Sequence, residues 1–116
     1  MRIVGHYIEK FNIATDQTIP CGPIYQSDGL RIHIQKHHPD TTELIDLIPD
    51  VIQFPDFIGR HPKEANSIEL VKILERNVMV CIKLDLKRDY LYVASVFPIS
   101  EGKLKNRIAS GRLTAY

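Results

Sequence analysis

Three histidines lie within six residues of one another, at His33, His37 and His38. An imidazole can accept and donate a proton near neutral pH, so a pair of imidazoles suits acid–base catalysis. His33 and His37 are four positions apart and would share one helix face, where they could also bind a metal ion. Such a metal site needs a further ligand, and the HExxH spacing is absent, so the sequence favours acid–base chemistry. A solvated helix end is the alternative interpretation.

The distance between His33 and His38 along the chain decides whether they can act on one substrate. Five positions correspond to about 140° around an ideal helix, so the two side chains would diverge on a continuous helix. Pro39 follows His38 directly and disfavours the helical conformation of the residue before it. We therefore expect the helix to stop at His38, which would allow His33 and His38 to converge.

Lys83 and Ser95 are further candidates for contacts with a phosphate. Alternation along the strand places Lys83 on the side of Met79 and Cys81, where its charge could stabilise a pentacovalent phosphate. A surface lysine on the open face of a sheet is the alternative. Ser95 is expected to face the side opposite Tyr92, and its hydroxyl could donate a hydrogen bond to a phosphate oxygen.

A basic loop offers candidate substrate-binding residues. Arg60, His61 and Lys63 are clustered there, and Lys72 follows in the next strand. Residues 1–56 carry four basic and eight acidic side chains, whereas residues 57–116 carry eleven basic and six acidic ones. A polyanion would prefer the basic half. A solvated turn is the alternative for the loop.

Length and composition limit the class of protein. The chain has 116 residues, 44% hydrophobic and 25% charged, as expected for one globular domain over residues 1–116. It contains no apolar run of about 20 residues and begins without a secretory signal, so we expect no membrane partner. Cys21 and Cys81 are far apart and in no CxxC pattern, which favours a reducing cytoplasm.

The elements that must hold these residues follow from hydrophobic periodicity. We expect a strand or extended arm at residues 2–8, then a helix at 30–37 capped by Ser27 or Asp28 and a second helix at 41–47. Residues 67–74, 78–86 and 90–97 read as strands with short turns, and Ser100 caps a final helix. The expected fold class is α+β, with N-terminal helices packed on a C-terminal antiparallel meander of about four strands and a final short helix.

Several segments of the sequence together resemble the phage-associated barnase–EndoU–colicin–RelE-like nuclease domains. The most specific part of the pattern is His33, four residues, then His38-Pro39, followed by an Ile-Pro-x-x-Ile helix and a Pro-Asp turn. The resemblance covers residues 22–113 and is carried by segments 24–30, 33–34, 38–39, 48–52, 55–59, 66–72 and 91–95.

The resemblance implies a fold of two helices followed by a four-stranded antiparallel sheet. It also implies a metal-independent endoribonuclease site, without a cofactor, between the first helix and the sheet. The residue types that recur in such sites map here onto His33, His38, Lys83 and Ser95. RNA, either tRNA or another cellular RNA, is the implied substrate, and an antitoxin or immunity protein is an implied partner.

The chemistry of RNA cleavage needs little more than these groups. The 2′-hydroxyl is the nucleophile, so an enzyme must remove its proton, protonate the 5′-oxygen and stabilise the added charge. The expected products are a 2′,3′-cyclic phosphate and a 5′-hydroxyl. A second interpretation keeps the fold without turnover, as a module that binds RNA or an antitoxin. An open strand edge at residues 67–74 would also permit a homodimer.

Overall fold

The computed structural model describes residues 1–15 and 18–116 and places seven strands of this part of the chain in one mixed sheet. The strands are β1 Arg2–Tyr7, β2 Gly22–Gln26, β3 Phe57–Gly59, β4 Ser67–Lys72, β5 Val78–Asp85, β6 Tyr90–Pro98 and β7 Leu113–Ala115. The α-helices are α1 Asp28–His37, α2 Ile48–Gln53 and α3 Glu101–Ala109, and 3₁₀ helices span Glu9–Ala14 and Pro39–Leu47. The strand order is β1-β2-β6-β5-β4-β3-β7, and β2 runs parallel to β6 while the other neighbours are antiparallel.

The expected arrangement of N-terminal helices on a four-stranded C-terminal meander is wrong. Strands stand at both ends of the chain, and α1 and α2 lie between them. The central hairpins β4–β5–β6 do match the expected strands and turns. The strands that were missed are β2, which opens with Gly22 and Pro23 and reads as a loop, and the three-residue strands β3 and β7, which are too short to show a period.

The main core lies on one face of the sheet, between the strands and the helices α1 and α2. Alternate residues of β5, such as Val80 and Ile82, are fully or almost fully buried there, and α1 contributes Leu30 and Ile34. This two-residue period on strands and the four-residue period on the helix are the spacings that create an apolar face on each element. The opposite face is covered in part by α3, which buries Leu104 against a smaller cluster.

The expected open edge at residues 67–74 is also wrong. β4 lies between β3 and β5, so its backbone groups pair on both sides. The sheet order leaves β1 and β7 as its outer strands. The suggested contact for a homodimer therefore has no free edge at β4. No helix in the described part of the chain is long and apolar enough to cross a membrane.

The helix boundaries follow the local chemistry of their ends. α1 ends at His37, and His38 takes φ −141° and ψ 57°, outside the helical region that a following proline disfavours. The second helix, expected at residues 41–47, is a 3₁₀ helix that begins at Pro39 and continues into α2. Ser100 caps α3 by accepting a hydrogen bond from the Lys103 amide, as the sequence predicts.

Candidate functional site

A cleft opens between the end of α1 and the second half of β6. β2 pairs with β6 at Ile24–Leu91 and Tyr25–Tyr92, then leads through Ser27 into α1. The cleft that remains beside residues 94–98 has a volume of about 330 Å³. We call it the histidine cleft; its polar lining residues are His33, His38, Asp40, Thr41, Arg76 and Ser95.

The three histidines in and directly after α1 form one cluster of exposed side chains. The ring centroids of His33 and His37 are 4.7 Å apart, and those of His33 and His38 are 6.2 Å apart with the planes at 63°. His33 and His38 line the cleft, whereas His37 is not part of its lining. The structure thus brings together the two histidines that the break at Pro39 was expected to bring together. In residues 1–15 and 18–116, no three His, Cys, Asp or Glu side chains are grouped to hold a metal ion.

The backbone of His38 is held on both sides of the helix break. Its amide donates to the carbonyl of Ile34 at 2.7 Å. Its carbonyl accepts from the Thr41 amide and from Thr41 Oγ1, each at 3.0 Å. Thr41 is itself buried. This fixes the position from which the His38 imidazole enters the cleft.

A β-bulge decides where Ser95 points. Cys81 pairs with Ser95 but Ile82 pairs with Val93, so Ala94 is the extra residue in β6. The extra residue reverses the alternation, and Ser95 lies on the same face as Tyr92 and Lys83. The expectation that Ser95 faces away from Tyr92 is therefore wrong.

Lys83 and Ser95 line a second cavity, on the sheet face opposite α1. This open-face cavity has a volume of about 300 Å³, and His61 and Glu64 also line it. Lys83 Nζ lies 3.1 Å from Glu64 Oε2, and both side chains are partly exposed. Ser95 borders both the open-face cavity and the histidine cleft, but Lys83 does not line the cleft. The four expected catalytic residues are thus divided between two cavities that meet at β6.

The floor of the open-face cavity holds an ion pair that sequence reasoning missed. Arg112 Nε and Nη2 donate to the two oxygens of Glu69 at 2.8 and 2.7 Å. The hydrogen bonds to Glu69 raise the pKa of Arg112 above its ordinary value. A signal was available in the sequence, because Glu69 is a charge within the otherwise apolar run of β4.

Cys81 lies in the same cavity, between Glu69 and Ser95 in the strand register. Burial raises the pKa of its thiol to about 11, and a hydrogen bond with the Ser95 side chain opposes the rise. A thiol with so high a pKa is a poor nucleophile near neutral pH. The Ser95 hydroxyl is directed at this thiol.

The expected substrate-binding residues are dispersed. Arg60 lines a third cavity, of about 720 Å³, together with Arg107 and Arg112. His61 Nδ1 accepts from the Lys63 amide at 3.1 Å, which leaves Nε2 to carry the proton of the neutral ring. Lys72 donates to the carbonyl of Phe54 at 2.9 Å and lines none of these three cavities.

Arg76 is the cation that sequence reasoning missed in the histidine cleft. It belongs to the turn between β4 and β5, and it enters the cleft beside His33 and His38. Its Nη1 lies 3.3 Å from Glu43 Oε1, and both side chains are about half exposed or more. A turn of charged residues reads as a solvated loop, and only the fold places it next to α1.

Comparison with known proteins identifies the family. The model of the phage-Barnase-EndoU-ColicinE5/D-RelE like nuclease 3 family matches residues 2–106. No curated protein and no solved structure matches the chain. The matched region includes both histidines of the cleft and all of β1 to β6. Membership indicates nuclease activity in general and a nucleic acid as the substrate. The chain belongs to the phage-Barnase-EndoU-ColicinE5/D-RelE like nuclease 3 family.

Proposed function

We propose that this protein is a metal-independent endoribonuclease that cleaves RNA in the histidine cleft. The observation that carries the proposal is the pair His33 and His38, 6.2 Å apart between ring centroids in one cleft of a nuclease-family domain. The products are a 2′,3′-cyclic phosphate and a 5′-hydroxyl. In its cellular role the enzyme acts as a cytoplasmic toxin that an antitoxin neutralises.

The pair of imidazoles supplies the two proton transfers of this reaction. A neutral imidazole removes the 2′-hydroxyl proton as the oxygen attacks phosphorus, and a protonated imidazole delivers a proton to the departing 5′-oxygen. Each transfer needs a nitrogen within about 3 Å of the oxygen concerned. Rings at 6.2 Å and 63° can contact one phosphodiester from two sides. Each group contributes about 10²- to 10⁴-fold to the rate.

Ser95 and Lys83 enter the proposal in different ways. Ser95 borders the cleft from β6, where its strand forms the wall opposite His33. Lys83 and His61 line the open-face cavity, and Arg60 lines the third cavity. There they contact RNA beyond the cleaved bond, together with Lys63 of the same loop. The contribution of Lys83 and the basic loop is to affinity, through phosphate contacts that weaken with salt.

The test compares single-turnover cleavage of total cellular RNA, in EDTA, by the wild type and two variants. His33→Ala/His38→Ala removes both imidazoles of the cleft, and His37→Ala is the matched control because His37 lies on the same helix outside the lining. The proposal predicts a loss of at least about 10³-fold for the double variant and less than about threefold for the control. Equal activity of the wild type and the double variant would refute it. RNA binding without cleavage by the wild type would instead identify a binding module.

A further inference from the structure

The cleavage reaction needs a cation at the phosphate, and the cation that faces the histidine cleft is not the expected lysine. Negative charge accumulates on the non-bridging oxygens as the 2′-oxygen attacks, and a fixed positive group stabilises it. Lys83 lies in the open-face cavity and is paired with Glu64. Among the described residues that line the histidine cleft, Arg76 is the only lysine or arginine.

The backbone at Arg76 is fixed by its neighbour Asn77. The Asn77 side chain is buried; its Oδ1 accepts from the Leu74 amide at 3.3 Å and its Nδ2 donates to Glu101 Oε1 at 2.7 Å. The Asn77 carbonyl accepts from the Ile99 amide at 3.0 Å. These bonds join the β4–β5 turn to the end of β6 and to the first turn of α3. Arg76 therefore extends into the cleft from a rigid base.

The side chain of Arg76 is held weakly and remains available to a ligand. It is 47% exposed, and its Nη1 lies 3.3 Å from Oε1 of Glu43, which is itself 64% exposed. An exposed ion pair joined by one hydrogen bond is weak, because both groups stay hydrated. A guanidinium has five N–H donors, so a phosphate can take two parallel hydrogen bonds in place of the one to Glu43.

We propose that Arg76 is the phosphate-binding residue of the histidine cleft, released from Glu43 when the phosphodiester of a nucleic acid enters between His33 and His38. The proposal rests on the cleft being the site of cleavage, but phosphate binding can be measured without turnover. A DNA dinucleotide serves as the probe, because it carries the phosphodiester and lacks the 2′-hydroxyl nucleophile.

The first measurement is the dissociation constant of the DNA dinucleotide, from NMR titration of the ¹⁵N-labelled protein at low salt. Arg76→Ala is expected to raise Kd by about tenfold, the loss of a charge-assisted bidentate contact. Glu43→Gln removes the competing carboxylate and is expected to lower Kd by about two- to threefold. Arg88→Ala is the matched control: it removes an arginine from the β5–β6 turn, at the other end of β5 and outside the lining of the cleft.

The second measurement is single-turnover cleavage of RNA by the same variants. We expect Arg76→Ala to lower the rate by about 10²-fold, Arg76→Lys to recover part of it, and the control Arg88→Ala to change it by less than about threefold. Melting curves establish whether each variant is folded. If Arg76→Ala does not fold, the effect of Glu43→Gln on Kd still tests the proposal. A Kd and rate for Arg76→Ala within about twofold of the wild type would overturn the proposal while leaving the histidine mechanism intact. Dinucleotide binding that depends on Arg76, without RNA cleavage by the wild type, would sustain the phosphate site and refute the ribonuclease.

Discussion

The guanidinium of Arg112 and the carboxylate of Glu69 form a two-bond ion pair beneath the open face of the sheet. Arg112 directly precedes β7 and Glu69 lies in β4, with β3 between the two strands. The side chains are 19% and 4% exposed, respectively. Removing either partner would leave the other as a largely buried charge without compensation. The pair therefore ties the C-terminal segment to the centre of the sheet.

Breaking this pair should destabilise the protein far more than breaking an exposed one. We expect Arg112→Ala to lower the free energy of unfolding by about 3–5 kcal/mol, because Glu69 loses its partner. Lys83→Ala, which breaks the exposed pair with Glu64, should lower it by about 0–1 kcal/mol. Urea denaturation at pH 7 measures both. Similar losses in the two variants would contradict the structural role of Glu69 and Arg112.

Gly59 is required where β3 passes the segment before β7. A Cβ atom at Gly59 would overlap the carbonyl oxygen of Arg112, a backbone atom that cannot rotate away. Gly59→Ala should therefore separate β3 from β7 and cost at least about 2 kcal/mol. Gly102→Ala, in α3 with nothing within 4 Å, should stabilise by about 0.5–1 kcal/mol. Thermal melts of the two variants that shift in the same direction would contradict this.

The two cysteines should differ in reactivity. Cys21 is exposed, whereas burial raises the pKa of Cys81 to about 11, so little thiolate forms at Cys81 near pH 8. A disulfide reagent at pH 8 should label Cys21 rapidly and Cys81 only when the protein is denatured. The Cys21→Ser variant isolates the second thiol. Labelling of that variant in its native state at the rate of Cys21 would show that Cys81 is accessible.

The raised pKa of Cys81 also gives stability a dependence on alkaline pH. The folded protein holds the thiol proton up to about pH 11, whereas the unfolded chain releases it from about pH 9.0. The contribution of this group is therefore complete below pH 9.0 and is lost as the pH rises through 11. Cys81→Ala should reduce the fall in stability over this interval, as measured by urea denaturation in a pH series. If the stability of Cys81→Ala fell with pH as steeply as that of the wild type, groups other than Cys81 would be responsible for the fall.

Much of the frame that holds the histidines could be predicted from local chemistry. Pro39 stops α1 at His37, and Ser100 caps α3, because each acts on its immediate neighbours. The strands β4, β5 and β6 are rich in residues such as Val, Ile and Tyr over six to nine positions, and short turns join them. These features depend on interactions between residues close in sequence.

The parts that escaped prediction depend on contacts between distant residues. The parallel pairing of Ile24 with Leu91 requires a long connection through α1 and α2 and leaves no local pattern. The bulge at Ala94 shifts Ser95 to the other face of the sheet, and the amino-acid sequence of β6 gives no sign of this bulge. Arg76 belongs to the cleft because its turn lies beside α1, across more than thirty residues of chain.

Thr41 should influence the reaction through its hold on His38. Thr41→Val removes the hydroxyl that donates to the His38 carbonyl and should lower kcat by about tenfold with little change in KM, because the imidazole is displaced. Thr42→Val is the matched control, since Thr42 Oγ1 donates to the Pro39 carbonyl instead. The ¹⁵N chemical shifts of the His38 ring should change in the first variant alone. Equal effects of both variants would assign Thr41 a general role in helix stability.

The chemical identity of the product ends tests the central claim most directly. An RNA oligonucleotide is incubated with the wild-type protein in EDTA. The control is the same oligonucleotide with a single 2′-deoxy sugar at the cleaved position. The masses of the fragments, measured by mass spectrometry, identify their end groups. The account predicts fragments that end in 2′,3′-cyclic phosphate and begin with 5′-hydroxyl, and no cleavage at the 2′-deoxy position. Fragments with 5′-phosphate, cleavage at the 2′-deoxy position, or activity that EDTA abolishes would contradict it.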